Sequence, residues 1–401
     1  MWMLILLRNT CKVCKSWHQA VTSNASLWSV LDFSAAKKKY SLDTVRTYVK
    51  RSRGQARRFV TGGFYQDKAL FHVAGRCKKL QELHYAPSPA GTTLFRAVSA
   101  IQDLRKLTLT PACTITLDLC IDILQSCERL EHVEFLHVLK MEVHNDPSRL
   151  RELTNLRWIA LDSPSQHQSR LAINILPKLT HAHHLSMKRW RFDGDYCRQH
   201  GFKQLENLRY LDIAGSYSDH LPPFPTSIED LSISNNAILA SQKPFQTLPN
   251  LTRLSWADSA VLEDAAQVLQ SWLNENDGIL QELYLDSNNL TASELLALFE
   301  SGRLRNVRRL SLRQCQFNDT LAKKLTQHLR HVQVLDITGT SVTGIAVKEI
   351  VTRRGSGLQK LVIDSCHHVG IDAVEWARDQ GVNVSFKFPE STKKGRKVNL
   401  I

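Results

Sequence analysis

Apolar residues recur along most of the chain in one phrase, L-x-x-L-x-L, followed by x-x-N/C/T-x-L. The clearest copies are Leu280, Leu283 and Leu285 running to Asn288 and Leu290, and Val307, Leu310 and Leu312 running to Cys315 and Phe317. Others begin at Leu80, Leu104, Leu130, Leu156, Leu208, Ile228, Leu251, Val332 and Leu358, with a degenerate copy at Ala182. Alternation inside each phrase predicts a short strand that turns Leu283 and Leu285 inward and Glu282, Tyr284 and Asp286 outward. Between phrases the spacing changes to three and four, as in Ala265, Val268, Leu269 and Trp272, which predicts helices. These fall at Leu117 to Cys127, Asp264 to Leu273, Ala292 to Phe299, Leu321 to Leu329 and Gly344 to Val351.

About twelve such units, most of them roughly 26 residues apart, form a leucine-rich-repeat array. One unit cannot bury its apolar face alone, so stacking must supply the core. The expected fold is therefore an α/β leucine-rich-repeat solenoid, a horseshoe with parallel strands on its concave face and helices on its convex face. Leu221-Pro-Pro-Phe-Pro225 cannot hold a helix, and the short unit there should be extended. A helix from Asp372 to Gln380 and a strand from Val382 to Phe386 read as a terminal cap. The expected organisation is a small helical piece over 1–34, a basic linker and N-terminal cap over 35–75, the solenoid over 76–370, the C-terminal cap over 371–390 and a basic tail over 391–401.

Charge refines this picture. The 401 residues hold 52 Lys+Arg against 38 Asp+Glu, a net +14. Lys37, Lys38, Lys39, Arg46, Lys50, Arg51, Arg53, Arg57 and Arg58 gather against a single acid, Asp43, and Lys393, Lys394, Arg396 and Lys397 mark the tail. Such runs suit a solvated linker, a nuclear-import signal or phosphate contacts. The outward strand positions argue against nucleic acid, because nine acids stand there against six Lys or Arg. Trp158, Tyr210, Tyr284, Arg309 and Arg313 are the target contacts expected on that face, since exposed aromatics and arginines anchor interfaces. The apolar opening Met1 to Leu7 is far shorter than the ~20 residues of a membrane span and lacks signal-peptide features. Nine scattered cysteines fit reduced thiols inside a cell, in cytoplasm or nucleus.

No nucleotide loop, serine elbow or dinucleotide fingerprint occurs, so neither a catalytic residue nor a cofactor is expected. Cys11 and Cys14 form a C-x-x-C without a second ligand pair, which reads as helix core and not as zinc or redox chemistry. The histidines at His181, His183, His184, His367 and His368 lie on alternating faces and suggest no metal site.

Before the repeats, Cys11-Lys-Val-Cys14-Lys-Ser-Trp17-His-Gln-Ala20-Val21 predicts an amphipathic helix, and Ser23-Asn24 caps a second turn carrying Leu27-Trp28 towards Leu31-Asp32-Phe33. This segment resembles the C-terminal half of an F-box. With the repeats, the chain resembles an F-box and leucine-rich-repeat protein. The resemblance implies a non-catalytic substrate receptor of an SCF-type cullin-RING ubiquitin ligase, with Val13, Cys14, Trp17, Leu27 and Trp28 on the Skp-type adaptor and the repeats on a target protein. The Leu-Pro pair and first helix that open an F-box have no counterpart in Met1 to Thr10. Two expectations follow: a start inside a longer reading frame, or a docking module lacking its first part. The alternative function is a free-standing repeat scaffold or inhibitor outside the ubiquitin machinery. A third is a chromatin- or RNA-associated factor that uses the Lys37 to Arg58 segment.

Overall fold

A computed structural model of the chain describes residues 9–34, 40–61, 67–86, 92–110, 115–139, 151–164, 175–192, 200–218, 222–235, 237–238, 247–258, 269–270, 272–273, 279–288, 290–353 and 357–387. Two compact units divide it, Met1–Tyr217 and Ser218–Ile401. Each is a leucine-rich-repeat solenoid of parallel strands.

In the first unit the strands are β1 (Val30–Asp32), β2 (Arg58–Val60), β3 (Glu82–Tyr85), β4 (Lys106–Leu109), β5 (His132–Phe135), β6 (Trp158–Leu161), β7 (His184–Ser186) and β8 (Tyr210–Asp212). Each pairs in parallel with the next. The register aligns Leu83, Leu107, Val133, Ile159, Leu185 and Leu211 into one buried row. Burying each such side chain contributes roughly 1.5–3 kcal/mol, and none could be buried without its neighbours in the stack. The helices are α1 (Lys15–Ser23), α2 (Leu42–Ser52), α3 (Asp67–Arg76), α4 (Thr92–Ser99) and α5 (Leu117–Ser126).

The second unit repeats the plan with β9 (Asp230–Ser232), β10 (Arg253–Ser255), β11 (Glu282–Tyr284), β12 (Arg309–Ser311), β13 (Val334–Asp336), β14 (Lys360–Val362) and β15 (Asn383–Ser385), again parallel in chain order. Its helices are α6 (Ala292–Glu300), α7 (Asp319–His328), α8 (Gly344–Thr352) and α9 (Ile371–Asp379). Local sequence explains where they start. Thr291 and Glu294 form a capping box at α6, and Asn318 caps α7 through its side chain. The helix expected over Asp264 to Leu273 lies mostly outside the described residues, as do Lys37 to Lys39 and the basic tail. Pro222 to Pro225 carry no helix.

Two devices tie successive repeats together beyond the strand ladder. The first is a left-handed residue five positions after the start of eight of the strands: Arg189 and Gly215 in the first unit, and Asn235, Asp258, Ser287, Gln314, Gly339 and Ser365 in the second. Its N–H donates to a carbonyl of the next repeat, as from Ser287 to Arg313, Gln314 to Thr338 and Ser365 to Lys387. The second is an asparagine just before the strand phrase. Asn155, Asn207 and Asn250 donate from Nδ2 to the carbonyls of Glu128, Thr180 and Thr226, satisfying oxygens left by the preceding repeat.

The ladder begins earlier than residue 76. The segment expected to be a basic linker holds α2, β2 and α3, and β1 already pairs with β2. The reason lies in alternation hidden by charge: Val45 and Val49 of α2 and Phe59 of β2 are buried while the basic residues between them face out or lie across apolar rings. The expected Cys11-to-Val21 helix also starts later, at Lys15, because Cys14 is extended at φ −160°.

Candidate protein-binding face

Residues at the first and third positions of each strand form one face of the sheet. In the first unit it carries a column of stacked rings from four consecutive strands: His132, Trp158, His184 and Tyr210. Ring centroids lie 5.1, 3.3 and 3.8 Å apart, with planes within 10° of parallel. Adjacent parallel strands sit about 4.8 Å apart, so aromatic residues at equivalent positions must meet face to face. Trp158 and Tyr210, both expected as target contacts, are thus brought together. His184 lies between them and His132 caps the column at Trp158; their stacking could not be read from the sequence because each residue falls in a different repeat.

Because each inner ring is covered on both faces, the column leaves only its edges open, and Trp158 remains 39% exposed. Its electrostatics are unusual. Burial lowers the His184 imidazole to about 4, and the neighbouring His132 works in the same direction. The bond from His132 Nε2 to Glu134 Oε1 holds the Glu134 carboxyl below its ordinary range. His84 on β3 is lowered by burial and by Arg58 and Lys106, and its Nε2 lies 3.9 Å from Glu82 Oε2. At neutral pH the His84 and His184 rings are uncharged.

In the second unit the corresponding row alternates in charge. Arg253 lies 3.3 Å from Asp230 and 3.7 Å from Glu282, and Arg309 lies 3.4 Å from Glu282 on its other side. Tyr284 donates its hydroxyl to Glu282 at 2.8 Å, and the Arg253 guanidinium lies 5.0 Å from its ring centre. Burial first, then Glu282, raises the Tyr284 phenol. Arg313 approaches Asp336 at 3.9 Å. The expected contacts Tyr284, Arg309 and Arg313 are therefore present on the face and engaged with neighbouring repeats; both arginine side chains remain more than half exposed.

Several acids expected on the outward face serve the repeats. Asp286 Oδ1 accepts from the hydroxyl of Ser311 and from the N–H of Arg313. Asp162 accepts from Ser186 Oγ at 2.7 Å and the N–H of Lys188 at 3.1 Å. Asp364 takes the Ser385 hydroxyl at 3.0 Å. In each case an acid four residues after a strand begins clamps the serine two residues into the next strand. Burial raises both Asp162 and Asp286, despite those bonds. A pairing of Asp or Ser in one phrase with Ser in the next is the sequence signal that would have revealed the clamp.

The basic excess belongs to the first unit. Residues 1–217 contain 32 Lys+Arg and 18 Asp+Glu, whereas 218–401 contain 20 of each. Two members of the basic run are structural: Arg51 lies 5.2 Å from the Trp28 ring centre, and Arg58 pairs with Glu82 at 3.4 Å.

The N-terminal residues expected to dock an adaptor part company. Val13 is 66% and Trp17 53% exposed, Cys14 is exposed and Leu27 half-buried. Trp28 is fully buried; its Nε1 donates to the Val21 carbonyl at 2.9 Å and its ring packs 5.3 Å from Tyr48. It cannot contact an adaptor in this fold, because α2, unforeseen from the sequence, covers it. Among the described residues no group of three or more metal-ligating side chains is placed to hold an ion. Among those residues no helix is long and apolar enough to cross a membrane.

The sequence matches no family model, and no curated protein matches it. Among solved structures, an internalin of Listeria monocytogenes, InlF, aligns over 97% of this chain and 94% of its own, at 14% identity and a TM-score of 0.44. The mouse RP105/MD-1 complex aligns over 89% of this chain and 70% of the matched chain, at 14% identity and a TM-score of 0.45. The repeat assignment rests on the strand ladder itself.

Proposed function

We propose that this chain is a non-catalytic receptor that binds a target protein on the sheet face and a Skp-type adaptor of a cullin-RING ligase through Val13, Trp17 and the exposed side of α1. The observation that carries this reading is the pair of large apolar side chains, Val13 and Trp17, standing exposed on the segment similar to an F-box. Tryptophans are common as interface anchors. For the target, the edges of Trp158 and Tyr210, together with Tyr284, Arg309 and Arg313, are the contacts. A second reading, a free-standing repeat scaffold, is favoured by one observation: Trp28 and β1 are built into the ladder and not into a separate helical module.

The test is co-purification of the 401-residue chain with the adaptor. Retention of wild type, with loss of about 2 kcal/mol, or roughly 30-fold in Kd, in Trp17→Ala, supports the receptor. Failure of wild type to retain the adaptor overturns it in favour of the scaffold.

A further inference from the structure

The C-x-x-C of the N-terminal segment was expected to be helix core. The structure places it outside. Of the seven cysteines among the described residues, Cys77, Cys120, Cys127, Cys315 and Cys366 are buried, Cys11 is half-buried and Cys14 exposed. Burial raises Cys127 and Cys315 to about 11, so these thiols stay protonated and inert. Cys14 is the opposite case. It occupies the N-cap of α1, where unpaired N–H groups favour an anion, and its Sγ lies 3.1 Å from the Ser16 hydroxyl. Those groups, the Ser16 hydroxyl foremost, hold its thiol below the ordinary value. Lys12 and Lys15 flank it, and no acid occurs before Asp32. An exposed thiol in electropositive surroundings with a second cysteine three residues away has the parts of an exchange site: an attacking sulfur and a resolving one.

We infer that Cys14 and Cys11 form a thiol–disulfide exchange site, with Cys14 attacking a small-molecule disulfide and Cys11 resolving the product. The Cys14 thiolate attacks one sulfur of oxidised glutathione. A mixed disulfide forms, and the departing glutathione thiolate takes up a proton. Cys11, losing its own proton, then attacks Cys14 Sγ and expels a second glutathione. The protein loses two hydrogens as the Cys11–Cys14 bond forms, and one glutathione disulfide becomes two thiols. The site is independent of the docking proposal, although Cys14 lies between Val13 and Trp17.

Incubating the full chain with oxidised glutathione and mapping it without reduction tests this directly. Trypsin cuts after Lys12 and Lys15, so the bond would link a peptide ending at Lys12 to Val13–Lys15. The expected result is that linked pair in wild type, a stable glutathione adduct on Cys14 in Cys11→Ser, and no reaction at this segment in Cys14→Ser. Iodoacetamide at pH 7 should label Cys14 at least about tenfold faster than any of the five buried cysteines. A wild-type chain that keeps glutathione on Cys14 without forming the link would overturn the resolving role of Cys11. Labelling of Cys14 no faster than of the buried thiols would overturn the site.

Discussion

Replacing Trp28 with alanine separates a core role from a docking role. The indole is completely buried, packed 5.3 Å from Tyr48 with the Arg51 guanidinium 5.2 Å from its centre, and it donates to the Val21 carbonyl. Truncating a buried tryptophan costs about 3–5 kcal/mol. The lost ring contact alone accounts for about 0.5–1.5 kcal/mol of that. In a solenoid such a loss is felt first by the repeat that contains it, because each repeat contacts only its neighbours. Hydrogen exchange read by mass spectrometry should therefore show α1, β1 and α2 losing protection by two orders of magnitude or more, at about 1.4 kcal/mol per tenfold. Peptides from β12 to β15 should be unchanged. Trp17→Ala, at an exposed position, should leave the whole pattern within about 0.5 kcal/mol of wild type. If Trp28→Ala left protection of the first repeats intact, the packing described for this end of the ladder would be refuted.

Removing the serine partner of the clamp in Ser311→Ala should cost about 1–3 kcal/mol, since a half-buried Asp286 loses a donor, and urea unfolding of the second unit would read it. Ser365→Gly, which relieves a left-handed φ of 57°, should raise stability by up to about 1 kcal/mol in the same assay; destabilisation would contradict the turn. Glu282→Gln should change stability by no more than about 1 kcal/mol, because its arginine partners are roughly half exposed and screened. His184 supplies a pH test: its value falls from 6.5 unfolded to about 4 folded, so between these the unfolded chain binds the extra proton and stability drops as pH falls. Asp162, raised by burial, opposes this as it protonates, and the comparison with His184→Phe isolates the histidine. Protection of β6 to β8, corrected for intrinsic exchange, should decline from pH 7 to 5 in wild type and stay flatter in the variant.

The repeat phrase determined a great deal without any coordinates. Each of its twelve starting residues, from Leu80 to Leu358, is buried, because a period of two in strands and a regular return can be satisfied only by stacking. The helices at Leu117, Ala292 and Gly344 followed from apolar spacing within single repeats, and the closing helix expected from Asp372 runs over Ile371–Asp379. What escaped was every feature that depends on a residue some 24 to 30 positions away. The ring column is invisible in any one repeat, since His132, Trp158, His184 and Tyr210 become neighbours only through parallel register. The clamping role of Asp162 and Asp286 was hidden for the same reason, and so they read as free surface charge. At the N-terminus, the F-box resemblance put Trp28 on a docking surface and local pattern put Cys14 in a core; packing of α2 reversed the first and an extended Cys14 backbone reversed the second. Periodicity fixes which side chains turn inward, but which outward ones remain available is decided by what the next repeat lays beside them.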